Sequence, residues 1–390
     1  MRRLSLTIMV LLLLRGAYVL AEGPAVRFRM HTINASARHE PCSVFDVNRD
    51  GRLDIFSGSF WYEAPSWKRH HAWDIREQDN YYYDFSNLPI DVNGDGWIDA
   101  VTVAWHNETV SWIENPGRRG GSWSQHFIDK PGHLETALMA DLDADGDPDV
   151  LPNVMEQVIW YEFTPVKGSP PATKPGDPCP YFRPRPVGKE GAGAGIGTGD
   201  INGDKRVDIL CAKGWYEGPK DPRKDKWIWH GEWDLGDAGI PILAYDVDGD
   251  GDTDLVWGIG HNYGVYWLEQ GRDAADKRVW SKHLIDKSWS QAHNWAAADI
   301  DNDGELEAIT GKRYHAHNGA DPGEEEPLCI YAYDFDRKAR KWSRHVISER
   351  GRAGFGISGW VVDIDNDGDI DVVAAGKSGL YLFENLLRSR

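Results

Sequence analysis

Short apolar stretches alternate with clusters of Gly, Asp and Asn along most of this chain, and helical periodicity is weak. The clearest stretches are aromatic and close on an acidic or polar residue: "FWYEAP" (60–65), "SWIENP" (111–116), "IWYEF" (159–163), "GWYEG" (214–218), "YWLEQ" (266–270), "IYAYDF" (330–335) and "YLFEN" (381–385). Such residues fit a pleated, half-buried surface, so each stretch is predicted to be a strand. Before each lies an apolar strand-like segment, a polar loop and a second apolar segment. After several comes a fourth, with Trp and His-x-Ile: "WSQHFI" (123–128), "WSKHLI" (280–285) and "WSRHVI" (342–347). His126, His283 and His345 recur at equivalent outer positions and are read as packing or hydrogen-bonding residues. Four strands per 45–64 residues, seven times over, predict an all-β, seven-bladed β-propeller.

The polar loop is itself a repeat of nine residues: "DVNRDGRLD", "DVNGDGWID", "DLDADGDPD", "DINGDKRVD", "DVDGDGDTD", "DIDNDGELE" and "DIDNDGDID". Oxygen-bearing side chains stand at positions 1, 3, 5 and 9, with glycine at 6 in all copies but the fourth, where Lys205 replaces it. A hard cation taking six to eight oxygens suits that spacing. The expected calcium ligands are Asp46, Asn48, Asp50, Asp54; Asp91, Asn93, Asp95, Asp99; Asp141, Asp143, Asp145, Asp149; and Asp200, Asn202, Asp204, Asp208. The last three loops add Asp246, Asp248, Asp250, Asp254; Asp299, Asp301, Asp303, Glu307; and Asp363, Asp365, Asp367, Asp371. An EF-hand is excluded, because no glutamate stands at position 12 and no helices flank the loop.

These loops change the meaning of the formal charge of −19, since they hold 29 of the chain's 62 carboxylates. The N-terminus has a basic start at Arg2 and Arg3, an apolar run from Leu4 to Leu14, and Val19-Leu20-Ala21 as a cleavage site. Residues 1–21 are therefore expected to be a signal peptide, 22–390 a single propeller, and the product exported. Without Arg2, Arg3 and Arg15 the charge goes from −19 to −22, and seven divalent ions would bring it to about −8. The acidity belongs to the loops, and nothing resembles a nucleic-acid surface. The apolar run is too short for a membrane span, which needs roughly 20 residues. Four cysteines, Cys42, Cys179, Cys211 and Cys329, allow one bridge at most on this reading.

The last unit ends after its third strand, whereas "RFRMHTI" (27–33) stands unpaired before the first and ends in His-x-Ile. The N-terminal strand is expected to complete the last blade and close the ring. A Pro-rich insertion at about 164–190 lies between the third and fourth units. The run "GAGAGIGTGD" (191–200) precedes a calcium-type loop and not a helix, which excludes a phosphate cradle.

The nine-residue loop followed by an apolar strand resembles the FG-GAP/VCBS repeat family, whose best-known members are integrin α-subunit propellers. Phe355-Gly356 keeps part of that family's signature, while its Gly-Ala-Pro element is missing. More narrowly, "SQAHNWAAADIDNDG" (290–304), "TGKRYHAHNGADPG" (310–323) and the aromatic strands are similar to the propeller domain of aldos-2-ulose dehydratase and related bacterial exported proteins. That resemblance implies metal-assisted elimination of water from an oxidised sugar.

Strand direction supplies a separate argument. All seven loops join the first strand to the second, so they share one face of the disc. Residues entering the first strand and residues following the second must share the other face. The first group includes Arg38, His39, Glu40, Tyr81, Tyr82, Tyr83, Asp84, His133, Glu135, His293 and Asn294. The second includes His106, Asn107, Asn153, Glu156, Lys213, His261, Asn262, Tyr263, Lys312, Arg313, Tyr314, His315, His317 and Asp321. His39, His133, His293 and Glu135 are the expected ligands of one Zn²⁺ or Mn²⁺ with an open position. Tyr83, His133 and His293 are candidate bases, and Lys312 and Arg313 candidate partners of a developing anion. Tyr81, Tyr82, Asp84, His261, Tyr263 and His317 are expected to bind substrate, a carbohydrate. The reading is a lyase acting by β-elimination on an oxidised sugar or uronate-containing glycan. The alternative is a non-catalytic carbohydrate- or protein-binding propeller.

Overall fold

The computed structural model describes residues 26–165 and 179–388. The expected signal peptide and the middle of the Pro-rich insertion lie outside these residues. Seven four-stranded antiparallel sheets form the blades, spanning 43–71, 88–129, 134–188, 196–230, 243–290, 292–351 and 360–385. The seventh takes its fourth strand from Phe28–Asn34, which pairs with Gly379–Asn385, Phe28 opposite Asn385. First strands of successive blades meet around the axis. Ser43–Phe45 of blade 1 touches both Leu88–Ile90 of blade 2 and Trp360–Val362 of blade 7, which closes the ring. The connection into blade 2 also carries a small hairpin, Glu77–Gln78 with Tyr81–Tyr82.

The seven polar loops share one backbone. Positions 4 and 6 have positive φ in every copy, +59° to +79° and +68° to +94°. Lys205 adopts φ +68° at position 6 although it lacks glycine's freedom there. The first aspartate accepts the position 6 N–H at 2.7–3.0 Å in all seven. The position 9 carboxylate accepts the position 2 N–H at 2.7–3.2 Å. In six blades its other oxygen accepts, at 2.7–2.9 Å, the N–H of the residue after the third-strand glutamate: Ala64, Asn115, Phe163, Gly218, Gln270 and Asn385. One carboxylate thus ties the loop to two strands. Burial pushes these acids up, Asp54 to about 6 and Asp99 to about 8.

The side chain at the residue after that glutamate governs the seam to the preceding blade. Asn115 donates to Val47 O of blade 1 at 3.0 Å, and Asn385 donates to Ile300 O of blade 6 at 2.8 Å. At Gly218 no side chain is available, and Arg223 fills the seam instead, pairing with Glu162, Asp143 and Asp145 of blade 3.

Apolar layers between blades form the core; Val101 and Val103 of blade 2, for example, share a cluster with Val150 and Tyr161 of blade 3. Trp112, Trp160, Trp215 and Trp257 are fully buried. Outer histidines stack on third-strand tryptophans, Trp112–His126 at 4.3 Å and Trp267–His283 at 4.6 Å. The adjacent glutamates, Glu114 and Glu269, hold the same rings at 2.9 and 2.7 Å. His345 is buried in the corresponding strand. All four cysteines are unpaired, and among the described residues no helix is long and apolar enough to cross a membrane.

Candidate functional site

Opposite the polar loops, residues entering first strands and leaving second strands converge on a cavity of about 340 Å³. Tyr81, Phe85 and Trp105 give it an aromatic wall; Glu135, Asp237, His261, Arg313 and His317 give it charge. At its centre the Glu135 carboxylate meets His293 Nε2 at 2.8 Å, Arg313 Nη1 at 3.3 Å and His261 Nε2 at 3.8 Å. Arg313 also grips Glu40 with two nitrogens, at 2.8 and 3.2 Å, and is 3 % exposed. Lys377 lies 3.9 Å from Glu40 and 3.4 Å from the centroid of the Tyr81 ring. A buried charge pair of this kind is held only while each ion keeps its partners.

Electrostatics follow the geometry. Burial alone would raise the Glu135 carboxyl, but His293, His261 and Arg313 outweigh it and hold it well below the usual carboxylate range. For Glu40, Arg313 likewise overcomes burial and keeps the group low. His261 runs the other way: burial would lower it, while Glu135 and Asp321 on its two sides raise it. Burial dominates at His293, which is lowered, and at Lys377, which falls to about 8.

The segment "TGKRYHAHNGADPG" is an arch over this mouth. Lys312 leaves the second strand of blade 6, is completely buried, and donates to Ser290 Oγ and Gly323 O at 2.8 and 2.6 Å. His315, His317 and Asn318 have φ of +55°, +45° and +56°, a left-handed region in which side-chain-bearing residues stay only when fixed from outside. The fixing contacts are on hand. Glu324 accepts the His315 N–H, Lys377 donates to His315 O, and Tyr81 Oη accepts the His317 N–H at 2.7 Å. Asp321 then accepts from His261 and His317, each at 2.9 Å.

Several expected groupings do not form. His39 and His133 do not join Glu135 and His293. The His39 ring packs on Tyr82, 4.2 Å between centroids, and its Nε2 accepts the Ser59 N–H. Burial, reinforced by Arg38, lowers it to about 4. His133 sits on the rim against Glu156 at 2.7 Å and Glu108 at 3.5 Å. His261, expected only to touch substrate, occupies the place assigned to those two: Glu135, His261 and His293 bring one ligand atom each within 4.8 Å of one another. His261, His317 and Asp321 do the same. Tyr83 gives its hydroxyl to Gln78 and lies against His106, 5.5 Å between centroids, away from the cavity lining. Asp84 is buried, accepting from Thr102 and Asn87 at 2.7 Å, and burial pushes it up to about 7. Tyr263 donates to Glu326 at 2.7 Å. Lys312 braces the arch rather than facing the cavity, whereas Tyr81, His261, Arg313 and His317 do line it.

Lys377, Trp105, Phe85 and Asp237 also shape the site, beyond the residues expected from sequence. Lys377 follows the second strand of blade 7 as Arg313 follows that of blade 6, so the same positional rule applied to blade 7 finds it. Trp105, next to His106, was within reach of that rule too. Nothing in the sequence marks Phe85 or Asp237 beyond proximity to a first strand.

Seven such blades around a ligand-sized axial mouth define a β-propeller with an open binding face. Two segments, 91–151 and 246–310, match the family model described as FG-GAP-like repeat. These two segments are FG-GAP-like repeats, and they sit within a seven-bladed propeller. No curated protein gives a significant sequence match. Similar solved structures include an Agrocybe aegerita lectin described as recognising non-reducing terminal N-acetylglucosamine, 16% identical over 94% of each chain, TM-score 0.47. Rhamnogalacturonan lyase YesW is 14% identical over 94% of this chain and 75% of its own, TM-score 0.45. The V. cholerae biofilm matrix protein Bap1 is 10% identical over 91% and 88%, TM-score 0.45. Values this low carry no statement about chemistry, which rests on the site itself.

Proposed function

We propose that this is an exported, calcium-stabilised propeller that binds carbohydrate in its axial cavity and acts there as a lyase, by β-elimination on an oxidised sugar or a uronate unit. The observation that supports it is the Glu135, His261 and His293 set, its ligand atoms within 4.8 Å, beside a cavity walled by Tyr81, Phe85 and Trp105. Two imidazoles and a carboxylate suit one Zn²⁺ or Mn²⁺. Such an ion, when bound, polarises a sugar carbonyl and makes the neighbouring C–H more acidic.

The chain's own residues supply the rest. The aromatic wall offers ring faces to the C–H side of a sugar. Arg313, fixed by Glu40, presents a constant positive charge to the oxygen that gains electron density. His317 donates from Nδ1 to Asp321, which leaves Nε2 as the acceptor. That nitrogen takes the C–H proton; the electron pair forms the new C=C bond and the β C–O bond breaks, its oxygen leaving as water or an alcohol with the proton that His317 gives back. The polar loops are assigned to Ca²⁺, whose oxygen preference fits positions 1, 3 and 5; Asp246, Asp248 and Asp250 bring oxygens within 4.8 Å, as do Asp299, Asp301 and Asp303.

Elemental analysis of the mature protein tests the reading. Wild type should hold calcium plus about one zinc or manganese, and a Glu135→Gln/His293→Ala variant calcium alone. Oxidised sugars and uronates are then screened for a new unsaturated product. Equal turnover by both proteins would remove the site assignment; no turnover, with sugar binding kept in both, would return the chain to the non-catalytic binding class.

A further inference from the structure

The seam between blades 7 and 1 is built differently from those on either side. At the residue that follows the third-strand glutamate, blades 2 and 7 carry Asn115 and Asn385, whose amides cross to the preceding blade. Blade 1 carries Ala64 there. Its N–H makes the conserved-geometry bond to Asp54 at 2.8 Å, as its counterparts do, but it has no amide to reach Ile364 of blade 7. Gly218 leaves the same gap in blade 4, where Arg223 enters it. At Ala64 the gap stays open as a cavity of about 330 Å³, close to the axial one in size.

Its lining is mixed. Trp67 packs partly on the apolar cluster of this seam and has φ +53°, a conformation that turns the chain sharply after Pro65. Arg52, Asp365 and Glu384 also line it, with His31. Glu384 is already matched by Arg29 and His31, Arg52 reaches Asp50 at 3.5 Å, and Asp365 belongs to the calcium-type loop of blade 7, so the wall is close to neutral. An anion would meet Glu384 and find no unpaired cation among the lining residues, and a wholly apolar ligand would strip water from ionisable groups. A neutral polyhydroxylated ring satisfies both parts, with its C–H face on the indole and its hydroxyls donating to Glu384 and accepting from Arg52.

We propose that the blade 7–blade 1 seam is a second carbohydrate site, for a neutral sugar, distinct from the axial cavity and independent of whether that cavity is catalytic. Calorimetric titration with methyl glycosides of glucose, galactose, mannose and xylose tests it on four proteins. Wild type should bind at least one of them. Trp67→Ala should weaken that binding at least tenfold. Ala64→Asn, which restores the cross-blade amide and fills the gap, should do the same while melting no lower than wild type. Glu135→Gln/His293→Ala should bind as wild type. The proposal is overturned if wild type takes up none of the four, or if binding survives both seam substitutions. Loss confined to the axial variant overturns it as well, because the sugar then sits on the axis.

Discussion

The two faces of the disc are made by opposite rules. On the loop face, seven copies of one nine-residue segment hold one backbone, down to the positive φ at positions 4 and 6. On the other face no two blades contribute alike: a hairpin tyrosine from blade 2, Glu135 from blade 3, His261 from blade 5, an arch from blade 6 and Lys377 from blade 7. Repetition serves the fold, because every blade must solve the same strand-joining problem. Ligand recognition requires unlike groups around a single point, and a ring delivers that only where its units diverge.

The sharpest way to break this contrast is Arg313→Ala. It leaves Glu40 and Glu135 buried without their shared cation, so destabilisation of about 3–5 kcal/mol is expected by chemical denaturation, together with loss of axial ligand binding. Next comes a pH test at His39. Its folded pKa of about 4 lies below the ordinary imidazole value of 6.5, so the folded form binds fewer protons. Its contribution is complete above pH 6.5 and is lost as pH falls towards 4, on the order of 3 kcal/mol. His39→Phe should flatten that part of the stability–pH curve; an unchanged curve would remove the residue from the account. On the seams, Asn115→Ala deprives Val47 O and Ile98 O of a donor, and about 2 kcal/mol should be lost. The smallest effect is on the loop face. Lys205→Gly returns position 6 to the residue the geometry favours, and a gain of about 0.5–1 kcal/mol in thermal or denaturant stability is expected. If Lys205→Gly destabilised the protein, the shared-backbone rule would not extend to energetics.

The difference between the faces also governs what could be read from the chain. Blade number and loop positions were legible because each recurs with a period, and ring closure because the last unit lacks the fourth strand that residues 27–33 supply. Strand polarity likewise placed Tyr81, Glu135, His261, His293, Arg313 and His317 on one face. Their partners were not legible. Whether His39 or His261 reaches Glu135 depends on where each ring turns across the axis, a separation set by the ring and by no local spacing. In the arch Gly319 and Gly323 announce turns, but the left-handed His315, His317 and Asn318 that shape its rim carry no such signal. Ala64 was invisible for another reason: a small residue signals a gap only when set beside Asn115 and Asn385.

The closing strand has a mechanical consequence. Because Phe28 lies opposite Asn385 while Asn34 lies opposite Leu380, the chain enters and leaves the ring at the same end of one antiparallel pair. Tension applied through the flanking segments therefore acts across the rungs of that ladder rather than along it. The rungs are loaded one after another, and the strand peels away at low force. Buried tryptophans hold the blades together over whole sheet faces, whereas pulling loads this one ladder alone, and the ring parts first at the seam between its first and last blades.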